Sequence, residues 1–222
     1  MAVDYLLEKI APYECIACRK SGPLLCSNCF ELAGSPPPPR CIGCKTLSDG
    51  YNTCKTCRKW LPLSAAYVST TYEGIEQKLL HAYKFKVQRG GAKQIAKIML
   101  QVMPADIDVD VISWVPTAAA RRRARGFDHA KLLACEIAKA MPATQARELL
   151  NRKSNVRQLG ASRTERLKHM QDEFTCGDDL KNKSILLIDD VTTTGASLAA
   201  ASRVLKNAGA RDVRALLFAQ KL

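Results

Sequence analysis

The stretch ILLIDDVTTTGAS, residues 185–197, decides the fold class of this chain. It starts as a short apolar run typical of a buried strand, and then passes through two acids and a hydroxyl-rich segment. It leads into residues 198–208, which have helical spacing and are closed by Gly209. A strand, a short loop and a helix in this order are typical of an α/β fold.

Similar patterns on both sides of this stretch extend the prediction. Strands are predicted around 65–71, 109–115, 184–188 and 213–219, and helices near 74–83, 90–103, 128–140 and 198–208. Because strands alternate with helices, the pattern favours a largely parallel sheet that helices cover on both faces.

The end of the 184–188 strand carries residues that suit a phosphorylated sugar. Asp189 and Asp190 follow the strand, where their carboxylates could bind two ribose hydroxyls, or a magnesium ion and its waters. Amides and hydroxyls of the next loop would converge on a phosphate at the helix N-terminus, where free N–H groups and the helix dipole favour an anion. Gly195 would let the backbone approach closely. An ordinary capped turn needs one hydroxyl and would explain neither the paired acids nor the run of threonines.

Eight of the ten cysteines fall within the first 57 residues. They form four Cys-x-x-Cys pairs: Cys15 with Cys18, Cys26 with Cys29, Cys41 with Cys44, and Cys54 with Cys57. Each such turn places two thiolates on one side of a tight loop, and two loops supply the four sulfur ligands that structural zinc prefers. The spacing therefore predicts two structural Zn²⁺ sites in a small double zinc ribbon.

Alternatives to this interpretation remain open from the sequence. Disulfides would need an oxidising compartment, four thiolates also suit an iron–sulfur cluster, and the four pairs could combine in interleaved instead of consecutive order. Cys135 and Cys176 stand apart and have the character of ordinary thiols.

The composition is that of a globular protein with one ordinary domain and a small module, at 222 residues, 47% hydrophobic and 25% charged. The change from cysteine-rich to α/β sequence predicts a boundary near residue 62, with a zinc module at 1–62 and an α/β domain at 63–222. No apolar run is long enough to span a membrane and the first residues lack signal-peptide features, which predicts a cytoplasmic protein. The net charge of +13 favours a polyanionic partner, although solvated basic faces are the alternative.

Residues 185–197 closely resemble the signature of type I phosphoribosyltransferases that binds 5-phosphoribosyl-1-pyrophosphate (PRPP). The resemblance implies the type I phosphoribosyltransferase fold, with Mg²⁺ bound together with PRPP. It implies that Asp189 and Asp190 hold the ribose. The residues that it assigns to the adjoining PRPP contacts are Val191, Thr192, Thr193, Thr194, Gly195, Ala196 and Ser197.

Two further segments narrow the resemblance to the ComF (ComFC) family, whose members join a zinc module to a phosphoribosyltransferase domain. Residues 114–130 resemble the pyrophosphate-side loop of that family, with a solvated basic helix as the alternative. The family usually has Asn-Gln where this chain has Asp128-His129. Residues 152–174 resemble a mobile segment that could close over PRPP, with departures at Asn155 and at 169–173. The residues expected to meet the pyrophosphate are Pro116, Thr117, Arg121, Arg123, Arg125 and Gly126, with Arg125 acting beside the two acids.

The resemblance to the ComF family implies a role in DNA uptake and natural transformation. The expected ligands are PRPP and single-stranded DNA, and the expected partners are competence-machinery proteins such as a DNA translocase. Two functions fit the sequence. One is an enzyme that transfers phosphoribose to an acceptor that the sequence does not identify, and the other is a non-catalytic DNA-binding or protein-docking adaptor that uses PRPP as a regulatory ligand.

Overall fold

The computed structural model describes residues 14–85, 91–141, 144–153 and 173–221. Its α-helices are α1 (Ser27–Leu32), α2 (Lys55–Arg58), α3 (Gly74–Phe85), α4 (Gly91–Leu100), α5 (Ala119–Arg125), α6 (His129–Ala140) and α7 (Ala196–Asn207), with a 3-10 turn at Asp49–Tyr51. Its strands are β1 (Ala66–Thr71), β2 (Val111–Trp114), β3 (Gln145–Ala146), β4 (Asn151–Arg152), β5 (Phe174–Thr175), β6 (Ser184–Thr192) and β7 (Asp212–Gln220).

Five strands form a parallel sheet in the order β1-β7-β6-β2-β3, which confirms the predicted fold class. The carboxyl ends of parallel strands meet at one edge of a sheet, and ligands of open α/β sheets bind outside that edge. Strands β2 and β6 are neighbours, and Trp114 pairs with Ile188 in their register. The residues that follow Trp114 therefore lie next to Asp189 and Asp190.

Strand β6 is longer than the sequence pattern indicates. The apolar run predicts an end at Ile188, but the strand continues to Thr192 because Val191 and Thr192 still pair with Ala219 and Gln220 of β7. Asp189 and Asp190 thus lie inside the strand and are held by the sheet ladder, not by a loop.

Helices and strands share one hydrophobic core. Helices α4 and α6 pack against each other, α6 also contacts β2 and β6, and α7 contacts β7. The cysteine-rich segment joins this core through buried Leu24, Leu25, Ile42 and Leu61. The boundary near residue 62 stays a prediction.

The cysteine-rich segment is also tied to the α/β part by hydrogen bonds. The Gln94 side chain of α4 accepts from the Leu25 N–H at 3.0 Å and donates to the Leu25 carbonyl at 2.5 Å. The Gly34 N–H donates to the Glu76 carboxylate of α3 at 3.1 Å. Within the described ranges, no helix has the length and apolar character that a membrane span needs.

Candidate functional site

Eight cysteines form two groups of four among the described residues, each with its four sulfur atoms within 4.8 Å of one another. The first group combines Cys15, Cys18, Cys26 and Cys29, and the second combines Cys41, Cys44, Cys54 and Cys57. The pairs thus combine consecutively, which decides between the two arrangements that the sequence left open. All eight cysteines are free thiols, so the disulfide alternative is wrong for this structure.

The geometry of both groups fits a tetrahedral metal ion. A zinc ion with four sulfur ligands at about 2.3 Å separates neighbouring sulfurs by about 3.8 Å. The Sγ atoms of Cys18 and Cys26 lie 3.6 Å apart, and those of Cys44 and Cys54 lie 3.8 Å apart. Both groups could therefore hold zinc.

The pKa values of the thiols diverge within each group. Burial would raise the pKa of Cys15, but backbone hydrogen bonds outweigh burial and lower that pKa to about 6, and hydrogen bonds with Thr46 lower the pKa of Cys44 to about 6. Hydrogen bonding with Cys26 and burial raise the pKa of Cys29 to about 12, and burial with the neighbouring thiols raises the pKa of Cys57 to about 12. Four thiols this close together cannot all ionise unless a cation lies between them. Each group thus gains most from a divalent cation that stabilises all four thiolates.

The second candidate site lies at the carboxyl end of β6, where two adjacent acids differ sharply in ionisation. Burial and the Asp190 carboxylate raise the pKa of Asp189 to about 8. Burial would also raise the pKa of Asp190, but its hydrogen bond with His129 and the Lys84 ammonium outweigh burial and hold that pKa below its usual range. At neutral pH the pair therefore carries a proton on Asp189 and a full charge on Asp190.

Asp190 is held by two side chains from different helices. Its Oδ2 atom lies 2.5 Å from Nζ of Lys84 at the end of α3 and 2.6 Å from Nε2 of His129 at the start of α6. All three side chains are largely buried. Neither Lys84 nor His129 was among the expected site residues, and His129 was noted only as a departure from the family pattern.

His129 contacts three parts of the site. Its Nδ1 atom lies 3.1 Å from Nη1 of Arg125 and 3.1 Å from the Thr117 hydroxyl oxygen, and its Nε2 atom faces Oδ2 of Asp190. The Lys84 ammonium is the cation that balances Asp190.

Asp128 fixes the segment that follows β2. Its two carboxylate oxygens accept from the Thr117 N–H at 3.1 Å and from the Thr117 hydroxyl at 3.0 Å. The same side chain caps α6 by accepting from the Lys131 N–H at 3.3 Å. Asp128 and His129 thus join Thr117 to Asp190, so the residues at which this chain departs from the family pattern connect the two halves of the site.

The arginines expected near this segment lie on a helix. Arg121 and Arg123 are exposed on α5, while the partly buried Arg125 turns inward to His129 and stacks on Phe85 with its guanidinium carbon 4.8 Å from the ring centre. Helix α5 ends at Gly126, whose φ of 76° is the left-handed conformation that glycine adopts most readily. The expected loop is therefore a short basic helix, with one arginine directed into the site.

The hydroxyl-rich loop is shorter than the sequence suggests. Val191 and Thr192 belong to β6, Thr193 and Thr194 are exposed, and Ala196 and Ser197 form the first turn of α7. Gly195 is the N-cap of α7 with φ 76°, so it opens the helix in a conformation that other residues rarely adopt. The first N–H groups of a helix have no partner within the helix, and those of α7 follow directly on this loop.

Arg152 connects a third segment to the site. Its Nη1 atom donates to the Pro116 carbonyl at 2.9 Å, and its Nη2 atom pairs with the Glu173 carboxylate. Strands β4 and β5 bring Arg152 and Phe174 together as antiparallel partners. The segment expected to close over PRPP falls mainly on residues 154–172, which lie outside the described residues.

Comparison with known proteins gives matches to a protein family, to two curated proteins and to solved structures. The family model described as "Phosphoribosyl transferase domain" matches residues 133–222. Competence protein ComFC of Streptococcus pneumoniae is 26% identical over 202 residues, which cover 88% of this chain and 87% of that protein. Competence protein F of Haemophilus influenzae is 25% identical over 220 residues, with 91% and 94% covered. A solved structure, glutamine PRPP amidotransferase from B. subtilis with ADP and GMP, aligns at 17% identity and TM-score 0.43, covering 62% of this chain and 30% of that one.

The parallel sheet, the acids at its carboxyl edge and the matching domain define a phosphoribosyltransferase-fold protein. Two cysteine groups that could hold zinc precede that fold. Two competence proteins match the chain at 26% and 25% identity over about nine-tenths of its length, so the chain is similar to proteins of the ComF type.

Proposed function

We propose that this protein binds PRPP with magnesium at the carboxyl edge of its sheet and acts in DNA uptake during natural transformation. The observation that carries the proposal is the chain of contacts from Thr117 through His129 to Asp190, with Asp128 holding the Thr117 N–H. These contacts join the segment after β2 to the acids of β6. PRPP must be held at both places at once, by its pyrophosphate at the first and by its ribose at the second.

The two ends of the site suit the two ends of PRPP. Thr193, Thr194 and the first turn of α7 offer hydroxyls and amides to the 5′-phosphate. We place the pyrophosphate beside the segment after β2, near Pro116, Thr117 and the Arg125 guanidinium, whose present contacts lie within the protein. Asp189 and Asp190 lie between them and accept from the ribose hydroxyls.

The reaction that this arrangement supports is displacement of pyrophosphate from C1 of the ribose by a nitrogen nucleophile. The bond from C1 to the pyrophosphate oxygen breaks as the bond to nitrogen forms, and positive charge develops on the sugar ring. Asp190 is ionised and lies beside this charge, while Arg125 stabilises the leaving pyrophosphate. The protein contributes by positioning and by electrostatic stabilisation, with no protein nucleophile.

Carboxylate oxygens are the donors that magnesium prefers, and Asp190, with Asp189 once it loses its proton, would present them, so the residues fit this ion. Magnesium bound with PRPP supplies positive charge that neutralises the pyrophosphate. The charge of +13 and the two cysteine groups support single-stranded DNA as a second ligand. We further propose a cytoplasmic location, with a DNA translocase or other competence proteins as partners.

Calorimetric titration of Mg-PRPP into the zinc-loaded protein tests the proposal. We expect saturable binding that is lost in the double variant Asp189→Asn, Asp190→Asn. The chain offers a matched control, because Asp178 and Asp179 are also adjacent acids but lie away from β6 on more exposed backbone. The double variant Asp178→Asn, Asp179→Asn should bind like the wild type. Absence of binding to the wild type would overturn the proposal.

A second experiment separates the enzyme from the adaptor. Pyrophosphate release that depends on an added nitrogen-containing acceptor identifies an enzyme. DNA affinity that changes with PRPP, with no pyrophosphate released under any condition, identifies an adaptor regulated by PRPP. The affinity for single-stranded DNA should fall steeply as the salt concentration rises, because several Lys and Arg side chains would displace counterions from the DNA. An affinity that does not change with salt would contradict DNA binding of this kind.

A further inference from the structure

The second cysteine group lies directly against the loop that opens α7. Trp60 and Leu61 follow the Cys54–Cys57 turn, and both of their N–H groups donate to the Cys57 carbonyl, at 3.1 Å and 2.9 Å. The position of these two residues is therefore set by a turn that supplies two ligands to the second metal site.

Both side chains lie beside Gly195, at a distance that a methyl group would fill. A methyl group built on Gly195 would lie 4.0 Å from Cη2 of Trp60 and 4.0 Å from Cδ2 of Leu61. Gly195 and Leu61 are buried, whereas the Trp60 residue is 39% exposed. The indole and the leucine side chain thus lie side by side next to Gly195, whose positive φ begins the helix. We call these two side chains the wall of the loop.

Two further neighbours fix the position of Trp60. A methyl group on Gly43, in the Cys41–Cys44 turn, would lie 3.1 Å from Cζ2 of Trp60, so the indole packs on the other turn of the same metal site. Arg203, on α7 itself, donates from Nη2 to the Trp60 carbonyl at 3.0 Å. Trp60 is therefore held between both turns of the second metal site and the helix that carries the hydroxyl-rich loop.

We propose that Trp60 and Leu61 are positioning residues that hold the loop at Gly195 in its phosphate-binding conformation, so that the second zinc site sets the affinity for a 5′-phosphate. The proposal rests on the proposed binding of PRPP at this loop. The first cysteine group has a different neighbour, because it packs near α3 and α4 through Leu24 and Leu25. Its zinc is expected to stabilise the fold without tuning the loop.

The coupling has a simple physical basis. Backbone amides bind a phosphate well only if they already converge on it, because ordering a loop at the moment of binding lowers affinity. A loop with one residue in the left-handed region has several other accessible conformations once its wall is removed. Truncation of the wall should therefore weaken phosphate binding while the sheet, the two acids and the pyrophosphate side stay in place.

The test uses two ligands that probe the two ends of the site separately. Ribose 5-phosphate reports on the loop, and magnesium pyrophosphate reports on the segment after β2. In the zinc-loaded full chain, Trp60→Ala should weaken ribose 5-phosphate binding about tenfold, equivalent to about 1.4 kcal/mol, and leave pyrophosphate binding unchanged. Trp60→Phe should recover most of the affinity because a ring still packs on Gly195.

The control is Leu47→Ala, which removes an apolar side chain that is 71% exposed in the segment between the two turns of the same metal site. It should bind both ligands like the wild type. All variants should retain two zinc ions per chain. Amide hydrogen exchange at 193–196 should accelerate in Trp60→Ala and not in Leu47→Ala.

The outcomes separate this inference from the function on which it rests. If the wild type binds neither ribose 5-phosphate nor PRPP, the proposed function fails. If the wild type binds and Trp60→Ala binds equally well, only the positioning role is overturned. Equal weakening of both ligands would also overturn it, because it would mean general destabilisation instead of an effect on the loop.

Discussion

Removal of the Lys84 ammonium should destabilise the folded protein far more than removal of an equally short ion pair on the surface. Lys84 Nζ lies 2.5 Å from Asp190 Oδ2, with side chains 17% and 6% exposed. Breaking a buried pair leaves an uncompensated charge and costs about 3 to 5 kcal/mol. Because His129 would still donate one hydrogen bond, we expect Lys84→Met to cost about 3 kcal/mol.

The matched control is Lys139→Met on α6. Lys139 Nζ also lies 2.5 Å from a carboxylate, that of Glu136, but its side chain is 69% exposed. An exposed pair of this kind contributes about 0.5 kcal/mol or less. The distance is the same in the two pairs, so the difference between the variants reports on burial.

Urea denaturation of the zinc-loaded proteins measures both effects. The double variant Lys84→Met, Asp190→Asn should recover much of the lost stability, because it removes the stranded charge as well as its partner. Equal losses in Lys84→Met and Lys139→Met, or no recovery in the double variant, would refute the assignment of Lys84 as the counter-charge of Asp190.

The stability difference between the wild type and Lys84→Met should depend on pH in a defined direction. The pKa of Asp190 is lowered in the folded protein, so its stabilising contribution is present above the ordinary Asp pKa of about 4 and is lost as pH falls further. The stability difference between wild type and Lys84→Met should therefore be large at pH 7 and shrink below about pH 4.

Three further changes have defined outcomes. The Asp189→Asn variant should be more stable than the wild type near pH 8 in urea denaturation, and this gain should fade toward pH 4. The reason is that a carboxyl whose pKa is raised to about 8 in the folded protein lowers stability when the pH is above its pKa in the unfolded chain. Asp128→Ala should lower the free energy of unfolding by about 1 to 3 kcal/mol, through loss of the α6 cap and the Thr117 contacts, and Asp128→Asn should lose less. Cys57→Ser should reduce the zinc content from two ions per chain to one in a metal-release assay, whereas Cys135→Ser should not change it.

The fold was predictable from the sequence to the extent that apolar periodicity reports on burial. Strand β7 is apolar over most of its length, and the pattern marks it nearly to its ends. The end of β6 was not predictable, because acids usually signal that a strand has ended. Here Asp189 and Asp190 remain in the ladder, since β7 continues beside them.

The candidate site was also predictable from the sequence only in part. Local spacing identified both cysteine groups, because ligands of one zinc site lie close together along the chain. Lys84 and His129 reach Asp190 from helices far away in sequence, and no spacing rule connects them. Trp60 lies beside Gly195 only because the cysteine-rich segment packs against the start of α7, which composition does not encode.

Phosphorus NMR of PRPP bound to the zinc-loaded protein with magnesium tests the central claim most directly, because the 5′-phosphate and the pyrophosphate give separate signals. The proposed site predicts that both sets of signals change on binding. Asp189→Asn, Asp190→Asn should abolish both changes, and Trp60→Ala should affect mainly the 5′-phosphate signal. Unchanged signals with the wild-type protein would contradict the claim that this site holds PRPP.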